Sequence, residues 1–144
     1  MTILFLCTGN YYRSRIAEEV FNHFCRQYRI KAEAVSRGLG HRWPNPNNPG
    51  PISKNALNFL DTLGIEIVSK DRLPQPCSST DIQAATRIIG MQEAEHRPLF
   101  FSKFPDCASE KIEFWAIGDV GAMDVQEACE QMYAQVHVLV ELVS

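Results

Sequence analysis

The chain has 144 residues, 45% of them hydrophobic, which suits one domain over 1–144 that buries roughly 68–70% of the surface its unfolded chain exposes. A formal charge of −3 and a pI near 5.8, with Lys and Arg scattered along the chain, argue against nucleic acid as a partner. The five cysteines (Cys7, Cys25, Cys77, Cys107, Cys129) are odd in number and contain no Cys-x-x-Cys pair, which argues against a disulfide framework or a metal site and for a reducing, cytoplasmic setting.

In chain order, Ile3–Leu6 is a short, wholly apolar run, the pattern of a strand covered on both faces of a parallel sheet. It is too short to span a membrane and has no basic leader before it, so no membrane partner is expected. Gly9-Asn10 marks a turn. From Ser14, which suits an N-cap, Ile16, Ala17, Val20, Phe21 and Phe24 recur at helical spacing, with Arg15, Glu18, Glu19 and Asn22 placed toward water. Lys31–Ser36 reads as a second strand, stopping before Arg37-Gly38 and completing a βαβ unit. Trp43 to Pro51 holds four prolines in nine residues and is a loop within the domain.

Ile52, Ala56, Leu57, Phe59, Leu60 and Leu63 outline a helix ending at Gly64. Asp81–Ala85 reads as a helical turn, Thr86–Met91 as a third strand and Ile112–Ile117 as a fourth. A long amphipathic helix from Val125 to Leu142 closes the chain. The alternation points to an α/β fold, an open doubly wound sheet with helices on both faces and a site beyond the carboxyl ends of the strands.

Cys7-Thr8-Gly9-Asn10-Tyr11-Tyr12-Arg13-Ser14 is a Cys-x5-Arg-Ser segment between the first strand and the first helix. With five cysteines and nine arginines in the chain the spacing alone proves little, and its context decides. Gly9 and Asn10 tolerate left-handed backbone, successive amides can cradle an anion, the helix N-terminus adds about half a positive charge, and Arg13 matches two phosphate oxygens. The same field favours a thiolate on Cys7, with Ser14 able to donate to its sulfur.

Cys7, Gly9, Asn10, Arg13, Ser14, Ala17-Glu18 and the Ser36-Arg37-Gly38 turn together resemble the low-molecular-weight protein tyrosine phosphatases and the related thioredoxin-coupled arsenate reductases. The resemblance implies a four-stranded parallel sheet, an acid/base aspartate near the C-terminus, and neither cofactor nor metal. It also marks departures. Tyr12 replaces a frequent second cysteine, so a protective disulfide is missing and Cys7 is exposed to irreversible oxidation. Arg15 replaces a proline and adds a charge near the mouth. Gln92 to His96 lacks the redox cysteines of the reductase branch, which disfavours arsenate reduction.

The family's acid lies in an Asp-Pro pair after the fourth strand. Gly118-Asp119-Val120-Gly121 occupies that place, so Asp119 is the candidate, and the missing proline implies slower turnover. Asp124, with Glu127 three residues on, reads as an N-cap instead. Tyr11 and Trp43 are candidate walls for a flat phosphorylated ring, with Trp115 and Phe114 behind them. Thr8, Gly9, Asn10, Tyr11, Tyr12, Ser14 and Trp43 form the expected substrate-binding set. Arg37 and Arg42 are candidates for attracting acidic segments.

The resulting expectation is a phosphomonoester hydrolase that uses Cys7 as nucleophile, Arg13 as clamp and Asp119 as acid. Its substrate would be a phosphotyrosine protein or a small aryl phosphate. A non-catalytic phosphate-binding module and an arsenate reductase are the alternatives. The oligomeric state is left open.

Overall fold

Strand β1 (Thr2–Cys7) occupies an inner position of the sheet, and Ile3 to Leu6 are wholly buried. Side chains alternate across a strand, so Ile3 and Phe5 enter one apolar cluster while Leu4 and Leu6 enter another on the opposite face. This explains a run with no polar alternation. Burying one such side chain contributes about 1.5–3 kcal/mol.

The computed structural model of the chain describes all 144 residues. Four parallel strands, β1, β2 (Glu33–Gly38), β3 (Arg87–Gly90) and β4 (Ile112–Phe114), stand in the order β2-β1-β3-β4. Helices α1 (Arg13–Tyr28), α2 (Lys54–Thr62) and α5 (Val125–Val143) supply the larger cluster through Phe21, Leu60 and Val136. Helices α3 (Ser79–Ala84) and α4 (Glu93–Lys103) cover the other face through Ile82 and Phe100. The chain leaves β1 toward β2 and returns to the opposite side for β3, so the strand order reverses between β1 and β3. A crevice opens there, beyond the carboxyl ends of the strands. No helix is long and apolar enough to cross a membrane.

Several expectations are corrected. Ser14 is not an N-cap: α1 begins at Arg13, and its N-cap, Tyr12, makes no side-chain capping bond. Ser36, Arg37 and Gly38 belong to β2 and do not form a turn after it, because the register pairs Cys7 with Gly38. Arg15, Glu18 and Glu19 do not face water. Arg15 is fully buried, donating to the carbonyls of Pro51, Ser69 and Arg72. It also lies 3.8 Å from Glu18 and 3.7 Å from Glu19. Arg72 closes the group with two bonds to Glu18, at 2.8 and 2.9 Å. The segment carrying Ser69 and Arg72 covers this face of α1, so the expected charge at the mouth is a neutral, internal four-residue cluster.

Candidate active site

The loop after β1 is built around Asn10. Its φ of 51° is the left-handed conformation the sequence suggests, and its buried side chain holds three partners. Oδ1 accepts from the Gln75 amide at 3.0 Å, and Nδ2 donates to Ser14 Oγ at 3.0 Å and Ser36 Oγ at 2.9 Å. Ser36 in turn donates to Glu18 and accepts from Arg72. Ser14 Oγ lies 3.0 Å from Cys7 Sγ. Because Ser14 already accepts from Asn10, its own proton is free to face the sulfur.

From Thr8 through Arg15, no amide N–H donates to a backbone acceptor. Buried amides are ordinarily paired, so this run, next to Cys7 and ending in the uncapped first turn of α1, has the form of an anion cradle. A cavity of about 60 Å³ lies here, lined by Cys7, Gly9, Tyr11, Tyr12, Arg13, Asn48 and Asp119.

The proline loop folds over one side. Tyr11 Oη donates to the Pro49 carbonyl at 2.6 Å, the Ser53 amide donates to the Tyr11 carbonyl at 2.9 Å, and the Asn48 side chain lies against Gly9.

Arg13 is 2% exposed. Its Nη1 donates to Glu95 Oε1 at 3.1 Å and to the Ile117 carbonyl at 3.0 Å, and its Nη2 donates to Glu95 Oε2 at 2.7 Å. Asp119 Oδ2 stands 3.6 Å from the same Nη2. Asp119 is half exposed and sits on a turn in which its carbonyl accepts from Ala122 and Met123. The Val120 amide donates to Asp119 Oδ1 at 2.9 Å, a bond that a proline at 120 could not make. Asp124 caps α5, accepting from the Glu127 amide at 3.1 Å.

The cradle thus brings together Cys7, the backbone of Thr8 to Tyr12, Arg13, Ser14 and Asp119. Thr8 and Tyr12 give the cradle their amides while their side chains go elsewhere, and Trp43 takes another place. The Thr8 hydroxyl donates to Glu95. The Tyr12 ring belongs to the core, with its hydroxyl 3.9 Å from Cys129 Sγ, and burial pushes that hydroxyl well above its usual range.

Trp43 donates to the Gly40 carbonyl and packs where a Cβ on Gly38 would stand, which is why residue 38 must be glycine. It does not line the cavity. Trp115 packs on Phe5 and Phe114 lies under Arg97, so neither is a wall. Arg37 pairs with Asp81 at 3.3 Å.

Sequence reasoning missed Glu95 and Asn48. Glu95 belongs to α4, a helix that carries Pro98 inside it. A signal was present in Glu93 and Arg97, an i,i+4 pair that meets at 2.6 Å. Burial works against a charge on Glu95, but hydrogen bonds from His96, Arg13 and Thr8 outweigh it and hold the carboxyl well below the usual carboxylate range.

Comparison with known proteins agrees with this geometry. A family model described as low molecular weight phosphotyrosine protein phosphatase matches residues 2–115. The chain belongs to that family.

Its members are cysteine-based phosphatases, which makes the chain a hydrolase. Among solved structures, it is 26% identical to the low-molecular-weight protein tyrosine phosphatase of T. tengcongensis, covering 98% of each chain with a TM-score of 0.80. YfkJ of Bacillus subtilis is 22% identical, over 99% of this chain and 94% of the other, with a TM-score of 0.84. The YwlE arginine phosphatase of Geobacillus stearothermophilus is 24% identical, over 97% and 90%, with a TM-score of 0.74. No curated protein matches.

Proposed function

We propose that the chain hydrolyses phosphate monoesters of the phosphotyrosine or aryl phosphate type through a phosphocysteine formed on Cys7. The observation that carries this reading is the run of unpaired amides from Thr8 to Arg15 beside a cysteine and a buried guanidinium. A tetrahedral dianion satisfies such amides and offers phosphorus to the sulfur.

The Cys7 thiolate attacks phosphorus in line as the ester oxygen leaves, and Asp119 passes its proton to that oxygen. Water then attacks phosphorus, forming a P–O bond as the S–P bond breaks. Asp119 takes its proton, phosphate departs, and the thiolate returns, supported by the Ser14 hydroxyl. Arg13 and the loop amides hold the equatorial oxygens throughout. With one Asp119 oxygen tied to the Val120 amide, Oδ2 is the atom that serves the leaving group.

The partner is a phosphorylated protein or small ester. Phosphoarginine joins the substrate panel because the Geobacillus neighbour is an arginine phosphatase. All five cysteines are free thiols, which supports a cytoplasmic setting.

The test is hydrolysis of p-nitrophenyl phosphate. Cys7→Ser is expected to fall to background, and Asp119→Ala to lose about 10²–10⁴-fold in kcat while keeping phosphate affinity. Undiminished turnover by Cys7→Ser would overturn the proposal.

A further inference from the structure

A guanidinium has five N–H donors in one plane, and the structure accounts for three of those on Arg13. Both Nη1 protons are taken, by Glu95 and by the Ile117 carbonyl, and one Nη2 proton by Glu95. The donors left are Nε–H and the second Nη2–H. They lie on one edge of the plane, spaced to grip two oxygens of a phosphate.

Which edge stays free is decided by Glu95, and Glu95 is itself fixed. Thr8 Oγ1 donates to its Oε2. His96 Nε2 lies 3.1 Å from the same oxygen. His96 is fully buried, and its Nδ1 accepts from the Gln92 amide at 3.0 Å, so Nε2 is the nitrogen that faces Glu95 and the Thr8 hydroxyl as a donor. The chain of contacts runs from the start of α4 through His96 and Glu95 to Arg13. The only other carboxylate at Arg13 is Asp119, at 3.6 Å from Nη2. Without Glu95, nothing else pairs with the Nη1–Nη2 end of the guanidinium as a fork, and its orientation is no longer fixed.

We infer that Glu95, held by His96 and Thr8, is the positioning residue for Arg13: it occupies one edge of the guanidinium and keeps the other for phosphate. This rests on the reading of Arg13 as the phosphate clamp. Glu95 acts through Arg13 and does not touch substrate.

The test is a double-mutant cycle of Glu95→Gln and Arg13→Lys, read by kcat and KM for p-nitrophenyl phosphate and by calorimetric Kd for inorganic phosphate, on proteins whose melting curves show them folded. Glu95→Gln is expected to lower kcat/KM by about 10- to 100-fold, by analogy with the outer partners that orient metal ligands, and to weaken phosphate binding. In the Arg13→Lys background the same substitution should change either quantity by less than about threefold, because the residue it acts through has gone. If Glu95→Gln does not fold, Glu95→Asp takes its place in the cycle, since its shorter carboxylate reaches only one arm of Arg13. Equal losses in both backgrounds, or unchanged phosphate affinity, overturn the inference and leave the proposed function intact if wild type turns over and Cys7→Ser does not. If wild type fails to turn over, the phosphate arm still reads Glu95 by itself.

Discussion

Asn10 shows how much one side chain does at the turn after β1. Its left-handed backbone bends the chain, and its amide group fastens the bend to Gln75, Ser36 and Ser14. By accepting from Asn10, Ser14 keeps its proton for Cys7. This part of the site was legible in the sequence because it is local: Cys7, Gly9, Asn10, Arg13 and Ser14 lie within eight residues, and the backbone needs of an anion loop restrict what can stand there.

Glu95 was not legible, because its role depends on a contact with Arg13, 82 positions away, and no spacing rule reaches that far. Its behaviour with pH is nevertheless fixed by its bonds. A carboxyl whose folded pKa lies below its unfolded value of about 4.3 contributes stability that is complete above that value and lost as the pH falls toward the folded one. The difference in melting temperature between wild type and Glu95→Gln should therefore be constant from pH 7 to about 5 and shrink below about 4. A difference that disappears near pH 6 would contradict this.

Among the elements, α1 departs most from its sequence pattern. Its apolar spacing is correct, but the opposite face is also covered, and Arg15, Glu18 and Glu19 are internal. A helical period reports one buried face; it does not report that a later segment, here the one carrying Ser69 and Arg72, will pair with the other. Removing one member leaves buried charge without a partner, so Glu18→Ala is expected to cost about 3–5 kcal/mol in urea unfolding. An exposed ion pair of the same kind is worth about 0–1 kcal/mol, and a loss that small would show the cluster to be solvated.

Strands β1 and β3 and helix α5 were legible within a few residues because their apolar runs are continuous or long. Helix α4 was not, since Pro98, its sixth residue, removes a helical donor inside the helix and breaks the expected pattern.

At the scale of the molecule, the site joins segments from far apart in the chain: the β1–α1 loop, the proline loop, α4 and the turn at Asp119. The family model ends at residue 115, so Asp119 and all of α5 lie beyond the matched region, yet α5 supplies Met132, Val136 and Leu139 to the larger core cluster.

The amides from Thr8 to Arg15 carry a consequence for handling the protein. Only the native chain assembles them, so a small oxyanion binds that form and not the denatured one, and the ion acts as a folding ligand. At a phosphate concentration one hundred times its Kd the gain is about 2.7 kcal/mol, or roughly 5–10 °C in Tm, beyond what chloride of equal ionic strength gives. Arg13→Lys should keep the general salt effect and lose most of this excess. Buffer choice would then shift the apparent hardiness of the enzyme as much as a core substitution does, and thermal comparisons between variants are meaningful only in a medium free of such ions.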